Sequence, residues 1–289
     1  GSARDLFSRH YGKGVLYFSS LTKFFGTHAM PSQWIEPVAG FELNQQESIV
    51  TKEYQIEKLA SQGLDASLFG HYVDPSFYIG IGIRVGTASG ISAEGNVNML
   101  SRVIQHRPVL LGEALISKGR IVSVEDVPRG WRISTDVWFE GGDGERAVSV
   151  PRVSLKPDPS KVGSRGAGER PPPVVQDPSE LKVVSKHKLT PAGTKSYSSE
   201  GNAIHYEVDA ANRAGFRAPI IGGGQGVHFL MAALWGDGLA EVALDIYFRR
   251  PVFWDDTITV GISSDMSAVA SLREGKVLTE MNVNNRSEL

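Results

Sequence analysis

The chain has 289 residues, of which 41% are hydrophobic and 21% charged, with a formal net charge of −2 and no cysteine. These values are typical of a globular protein with material for one large domain or two small ones. The absence of cysteine excludes disulfides, Cys-ligated zinc, iron–sulfur clusters and thiol nucleophiles. A charge so near zero argues against a general nucleic-acid binder, which needs a basic surface.

The hydropathy pattern also argues against a membrane protein. No stretch reaches the roughly 18 consecutive apolar residues that suggest a transmembrane helix. The amino-terminal segment has no apolar core typical of a signal peptide. We therefore expect a cytoplasmic protein without a membrane partner.

The first polar pair of interest precedes a glycine-rich stretch. His71 and Asp74 are candidate pocket residues, although such residues more often cap a turn. Residues 80–86 read Gly-Ile-Gly-Ile-Arg-Val-Gly and superficially suggest a dinucleotide-binding loop. The glycine spacing is one residue too long, and no acidic residue follows at the expected distance. We therefore predict no dinucleotide site.

The rest of the first half predicts one helix and several strands. Residues 89–105 are the best candidate for a central helix, because Val97, Leu100, Val103 and Ile104 share one helical face. Alternating apolar residues predict strands over residues 109–122, 131–140 and 146–155.

A proline-rich segment then interrupts the apolar pattern. Residues 156–180 contain six prolines and almost no large apolar side chains. Such a segment buries too little surface to offset its ordering entropy, and its triple proline favours an extended chain. We therefore divide the protein into an amino-terminal domain (residues 1–157), a linker (158–179) and a carboxy-terminal domain (180–289).

The second half predicts strands around a single buried helix. Residues 226–235 are apolar on nearly every face, which is typical of a buried helix, and His228 within it is expected to find a core partner. Strands are predicted over residues 181–188, 242–248, 258–262 and 277–283. One buried helix among antiparallel strands indicates an α+β fold, with a curved sheet wrapped around a central helix.

The two halves also resemble each other in sequence. Residues 107–115 and 250–258 both begin Arg-Pro-Val and continue through two apolar residues and a turn into a strand. A repeat at this distance indicates a domain duplication rather than a solenoid. Chance similarity between two hairpin starts is the alternative.

The densest group of candidate functional residues lies in residues 195–226. Glu200, Asn202 and His205 fall within six residues, and Gly222, Gly223 and Gly224 open the buried helix. A carboxylate and an imidazole that converge can hold a water molecule and share acid and base roles. Unpaired N–H groups at a glycine-led helix start suit a thioester oxygen. The alternative is that these are turn residues, a structural histidine and a packing glycine run.

The same segment carries a family resemblance. Residues 200–206 read Glu-Gly-Asn-Ala-Ile-His-Tyr, and residues 219–223 read Pro-Ile-Ile-Gly-Gly. They resemble the MaoC-like, or R-specific, enoyl-CoA hydratases, whose motif runs Asp-x-Asn-Pro-Ile/Leu-His and later Pro-Ile-x-His-Gly. The resemblance implies a double hot-dog fold, in which two repeats each wrap a sheet around a helix, and a lyase that hydrates or dehydrates acyl thioesters of fatty acid or secondary metabolism.

The resemblance also implies residue roles. Glu200 and His205 would activate one water molecule, Asn202 would orient them, and the N–H of Gly223 would bind the thioester oxygen. The substrate would be acyl-CoA or a carrier-bound acyl group, with no metal and no further cofactor. Candidate phosphate contacts near the site are the arginines Arg213, Arg217, Arg249 and Arg250, the last also a candidate pocket residue.

Three departures from the motif keep other functions open. Glu200 stands where the family has Asp, Ala203 where it has Pro, and Gly222 where it has His. A hot-dog thioesterase, another lyase or isomerase, and a non-catalytic acyl-binding subunit therefore remain as alternatives. The sequence also leaves both a monomer and a homodimer open.

Overall fold

The computed structural model describes residues 19–20, 33–161, 163–198 and 202–289. Glu200 therefore lies outside the described residues. Within the described part, no helix is both long and apolar enough to cross a membrane.

The described strands form one antiparallel sheet. Its order is β1-β2-β4-β5-β6-β3-β9-β12-β11-β10-β8, and β7 pairs with both β3 and β5. All strands from the first half lie on one side of the β3–β9 pair, and all strands from the second half lie on the other. The strands are β1 Ser19–Ser20, β2 Gln46–Ile49, β3 Val97–Gln105, β4 Ala114–Val127, β5 Gly130–Glu140, β6 Arg146–Ser149, β7 Arg152–Pro157, β8 Lys182–Lys188, β9 Leu239–Phe248, β10 Thr257–Ile262, β11 Ala268–Arg273 and β12 Lys276–Glu288.

Two apolar helices fill the inside of this sheet. They are α2 and α5, and they approach so closely that a side chain on Gly224 would meet the backbone nitrogen of Gly80 at 3.4 Å. Most residues of both helices are buried, which agrees with their apolar composition. The described α-helices are α1 Lys52–Ser61, α2 Phe77–Ala88, α3 Pro191–Tyr197, α4 Val208–Arg213 and α5 Gly223–Trp235.

The central helix of the first half was predicted in the wrong place. It spans Phe77–Ala88, whereas the predicted helix over residues 89–105 is a loop followed by strand β3. The helical spacing of the apolar residues in β3 is misleading because the strand has a register shift between Asn98 and Leu100. The glycine-rich residues 80–86 lie inside α2, so they form no phosphate-binding loop.

The remaining predicted strands all correspond to strands of the sheet, but β4 and β12 each end five residues later than predicted, and the strand predicted over residues 146–155 is two strands, β6 and β7. Strand β4 begins at Ala114 rather than at residue 109, because Gly112 adopts a φ of +85° in the preceding turn. In the second half, the buried helix is confirmed and starts three residues earlier than predicted, at Gly223.

The proline-rich segment is docked rather than solvated. The N–H groups of Val174 and Val175 donate to the Glu280 carboxylate at 2.8 and 3.0 Å. Val175 is buried against a small cluster that includes Ala270 and Leu272. The expectation that this segment buries little surface is therefore wrong at its carboxy-terminal end. The proposed domain boundaries within it stay a prediction.

Candidate functional site

A cavity of about 250 Å³ lies between the two halves and contains most of the predicted site residues. Asn202, His205, Gly222, Gly223 and Arg250 all line it. The cavity therefore unites the polar segment and the glycine-led helix, which the sequence separates by some 20 residues.

His205 is held in a defined orientation at the cavity. It ends a short 3₁₀ turn, Ala203–His205, and its side chain is 9% exposed. Its Nδ1 lies 2.8 Å from the carbonyl oxygen of Ile220. A carbonyl only accepts, so Nδ1 carries the proton, and in the neutral ring Nε2 keeps its lone pair. This tautomer suits a general base.

Asn202 joins the polar segment to the first half of the chain. Its Oδ1 accepts from the N–H of Gly95 at 3.1 Å, and its Nδ2 donates to the carbonyl oxygen of Asn96 at 3.1 Å. These bonds use both ends of a buried amide. The Asn202 side chain therefore bonds to the first half of the chain, and its predicted role beside His205 stays a prediction.

The start of α5 lines the cavity through Gly222 and Gly223. Gly222 is the N-cap of the helix and provides no side-chain cap, so the first-turn N–H groups lack intrahelical partners. A Cβ on Gly223 would lie 2.7 Å from Nδ2 of Asn98 and 2.9 Å from the Phe248 ring. Only glycine therefore allows Asn98 and Phe248 to pack this closely against the start of α5. Gly224 packs against α2 and does not line the cavity, and its predicted substrate role stays a prediction.

The first half supplies residues that the sequence analysis missed. Ile83 of α2, Asn98 of β3, Arg152 of β7 and Arg129 all line the cavity. Asn98 was assigned to a helix, which hid its position beside Gly223. No motif in the sequence marks these residues, because their relevance arises only from the pairing of the two halves.

The cavity lining is positively charged. Arg129, Arg152, Arg249 and Arg250 contribute to it, and no carboxylate does so among the described residues. The charge of Arg249 is balanced by a buried ion pair with Glu280 at 2.8 Å. An arginine-rich lining of this kind favours an anionic ligand.

The other two candidate arginines do not line this cavity. Arg217 forms an ion pair with Asp255 at 2.8 Å, and this hydrogen bond lowers the pKa of the Asp255 carboxyl. Arg213 ends helix α4 outside the cavity lining. Of the arginines that the sequence analysis named, Arg249 and Arg250 therefore line the cavity.

The predicted pocket roles of His71 and Asp74 are wrong. His71 is exposed and Asp74 is fully buried, and neither lines the cavity. Oδ2 of Asp74 lies 2.6 Å from Nδ1 of His228, and Oδ1 accepts from the Ser76 hydroxyl at 2.5 Å. The Tyr197 hydroxyl lies 2.5 Å from Nε2 of His228. His228 thus has the core partners expected for it.

This buried network occupies the counterpart of the cavity in the other repeat. The N–H of Val73 donates to the Val109 carbonyl as the N–H of Ile221 donates to the Val252 carbonyl. Asp74 therefore takes the position that Gly222 has in the second half. The duplicated position is filled by buried polar side chains.

The fold places the protein in a structural class. A continuous antiparallel sheet wrapped around two packed helices, one from each half, is a double hot dog of the α+β class. No described cluster of three His, Cys, Asp or Glu residues is suited to a metal ion.

Solved structures support this classification. The chain is similar to a MaoC-like dehydratase from Phytophthora capsici (TM-score 0.67, 18% identity, covering 86% of this chain and 98% of that one). It is also similar to HtdX from Mycobacterium tuberculosis (TM-score 0.64, 17% identity, 84% and 98%). A further Mycobacterium tuberculosis protein, described as having a double hotdog fold, matches with a TM-score of 0.54 and 12% identity over 82% and 92%.

These similarities confirm the resemblance to MaoC-like dehydratases at the level of the fold. No protein-family model matches the sequence, and no curated protein matches it.

Proposed function

We propose that the protein adds or removes water across the 2,3 double bond of an acyl thioester. The observation that carries this proposal is the joint lining of one cavity by His205 and by the glycine-led start of α5. A base and an oxyanion-binding N–H facing the same space are the two elements that this reaction requires.

The proposed water activation uses His205 and Glu200. Nε2 of His205 is available as an acceptor because Nδ1 donates to the Ile220 carbonyl. Glu200 stands two residues before the anchored Asn202 and would share the proton transfers. In hydration, the hydroxyl of the water bonds to C3 of the enoyl group and a proton is delivered to C2. Dehydration is the reverse.

The proposed oxyanion site is the N–H of Gly223. Attack at C3 moves charge to the thioester oxygen, and a preorganised donor there stabilises the transition state by about 3–4 kcal/mol. A Cβ at Gly223 would clash with Asn98 and Phe248, so only glycine fits there, and no side chain of its own covers its N–H.

The proposed substrate is acyl-CoA or a carrier-bound acyl group. Both substrates carry phosphates. Arginines line the cavity, and no described carboxylate does, which suits a phosphate-bearing ligand. The reaction as proposed requires no metal or further cofactor. The departure at Ala203 is compatible with it, because Ala203 still begins the turn that holds His205.

The test is turnover by purified protein with crotonyl-CoA, a medium-chain 2-enoyl-CoA and a dicarboxylic enoyl-CoA. Loss of the conjugated thioester absorbance is followed while free thiol is assayed in parallel. We expect absorbance loss without thiol release. Thiol release would identify a thioesterase, and binding without either signal would identify an acyl-binding protein.

Variants then assign the residues. His205→Ala and Glu200→Gln are each expected to lower kcat by about 100-fold or more, as loss of a general acid or base does. His71→Ala and Glu53→Gln are matched controls at exposed positions away from the cavity, and they should retain the parent rate. Parent rates in both site variants would refute the assignment.

A further inference from the structure

Asn98 of the first half lies directly beside the proposed oxyanion donor of the second half. Its Nδ2 is 2.7 Å from the position that a Cβ would occupy on Gly223, and its side chain lines the cavity. Strand β3 brings it there, because β3 pairs with β9 at the junction between the halves.

The orientation of the Asn98 amide is fixed by Arg152. Nη1 of Arg152 donates to Oδ1 of Asn98 at 3.3 Å. A guanidinium has no acceptor, so the oxygen of the amide faces Arg152 and the NH₂ group faces Gly223. Among the described residues, no acceptor receives a hydrogen bond from this Nδ2. Its donor capacity is therefore available to a ligand.

We propose that Asn98 is a second oxyanion donor and that Arg152 positions it, an inference that rests on the proposed function. The thioester oxygen would accept hydrogen bonds from the N–H of Gly223 and from Nδ2 of Asn98 together. Arg152 withdraws electron density through Oδ1, which strengthens the opposing N–H donor. The oxyanion site is then built from both halves of the chain.

The alternative role for Asn98 is structural, as a spacer that packs against Gly223 and Phe248. The two roles differ in what they do to the thioester carbonyl. A donor lowers the carbonyl stretching frequency of the bound substrate, and a spacer does not. Infrared spectra of bound enoyl-CoA labelled with ¹³C at the carbonyl separate them, independently of turnover.

The experiment compares wild type with Asn98→Leu and Asn98→Asp, two replacements of similar size that lack the donor. We expect kcat to fall by roughly 100-fold, as for loss of one oxyanion donor, with KM changed less than about threefold, because the stabilisation is specific to the transition state. The bound carbonyl band should move towards its solution frequency. Two variants are used so that a failure of one to fold leaves the other.

Arg152 is tested as a positioning residue. Arg152→Met, which has no donor for Oδ1, should lower kcat by about tenfold and move the carbonyl band part of the way towards its solution frequency, and Arg152→Lys, which keeps a donor, should recover most of both. Arg102→Met is the matched control, because Arg102 lies on β3 but pairs with Asp245 outside the cavity.

Each outcome distinguishes this inference from the proposed function. An unchanged band in the Asn98 variants of an active enzyme overturns the role of Asn98 and leaves the hydratase proposal intact. A shifted band in a wild type without turnover refutes the hydratase proposal, and the Asn98 variants still decide the donor. A wild type that binds no enoyl thioester overturns both.

Discussion

Nδ1 of His228 lies 2.6 Å from Oδ2 of Asp74, and both side chains are completely buried. The contact ties helix α5 of the second half to the turn that leads into α2 of the first half. Oδ1 of Asp74 also accepts from the N–H of Ser76 at 2.9 Å, which fixes that turn. The duplicated site has thus become part of the core that holds the two halves together.

Removal of Asp74 should therefore unfold the protein more easily. Asp74→Ala leaves His228 and Ser76 buried without their acceptor, and we expect a loss of about 3–5 kcal/mol in the free energy of unfolding. Urea denaturation measures it. Asp126→Ala, at an exposed position on β4, should change stability by no more than about 0.5 kcal/mol. Equal effects at the two positions would contradict a structural role for the network.

Two helical glycines should respond in opposite ways to alanine. At Gly223 a Cβ would lie within 3.0 Å of both Asn98 and Phe248, so Gly223→Ala should lower kcat by at least about tenfold by displacing the oxyanion donors. At Gly86 nothing lies within 4 Å, so Gly86→Ala should preserve activity and raise stability by about 0.5–1 kcal/mol. Turnover and thermal melting of the two variants test the pair.

Ile83 should limit the length of the acyl group. It lines the main cavity and also a second, small pocket of about 10 Å³, next to Gly82 and Val150. Ile83→Ala should widen the cavity towards this pocket, and kcat/KM should shift towards longer enoyl-CoA substrates. Ile81→Val, on the same helix but in neither lining, should cost about 0.5–1.5 kcal/mol of stability without changing this preference. An unchanged chain-length preference in Ile83→Ala would show that the end of the acyl group does not contact Ile83.

The second half could be predicted well because its signals are local. Residues 227–235 of α5 are apolar except for His228 and lie between glycines, and the alternation of apolar and polar residues in β9 and β10 is typical of a half-buried sheet. The repeat also extends to hydrogen bonding. The N–H of Leu110 donates to Glu113 as the N–H of Phe253 donates to Asp256, at the same offset of 143 that aligns Arg107 with Arg250.

Helix α2 could not be predicted because its glycines give the segment a low helix propensity. Gly80, Gly82 and Gly86 each lower helix propensity, yet Gly80 permits the close contact with α5, and Gly82 has Val150 against it. Tertiary packing here overrides local preference. The same reason hid Asn98, because its place beside Gly223 follows from the packing of the two halves and from no local pattern.

Glu280 should control the docking of the proline-rich segment. Its carboxylate accepts from the N–H groups of Val174 and Val175 and from Nε of Arg249 at 2.9 Å. Glu280→Gln removes the charge, and hydrogen exchange of those two amides should accelerate by about tenfold or more, since such charge-assisted bonds contribute about 1.5–3 kcal/mol. Glu145→Ala, at an exposed hairpin position, should leave both rates unchanged. Unchanged, slow exchange in Glu280→Gln would show that the apolar contacts of Val175 are enough to hold the proline-rich segment in place.

Glu113 should make stability depend on acid pH. Arg107 binds its carboxylate through two hydrogen bonds of 2.6 and 3.1 Å, and these lower the pKa of Glu113 below its usual 4.5, aided by the N–H of Leu110. The folded state therefore favours the ionised carboxylate. Its stabilisation is complete above pH of about 4.5 and is lost as the pH falls through the lower pKa of the folded state.

The comparison of wild type with Glu113→Gln isolates this effect. Wild type should be more stable by about 1 kcal/mol near pH 7, a modest value because the pair is partly exposed. The difference should shrink below pH of about 4.5, and urea denaturation across pH 3–7 measures it. In an Arg107→Gln background the same substitution should show a weaker pH dependence, because the main cause of the pKa shift is gone. If the stability advantage of wild type over Glu113→Gln instead grew as the pH fell, ionisation of Glu113 would destabilise the folded protein.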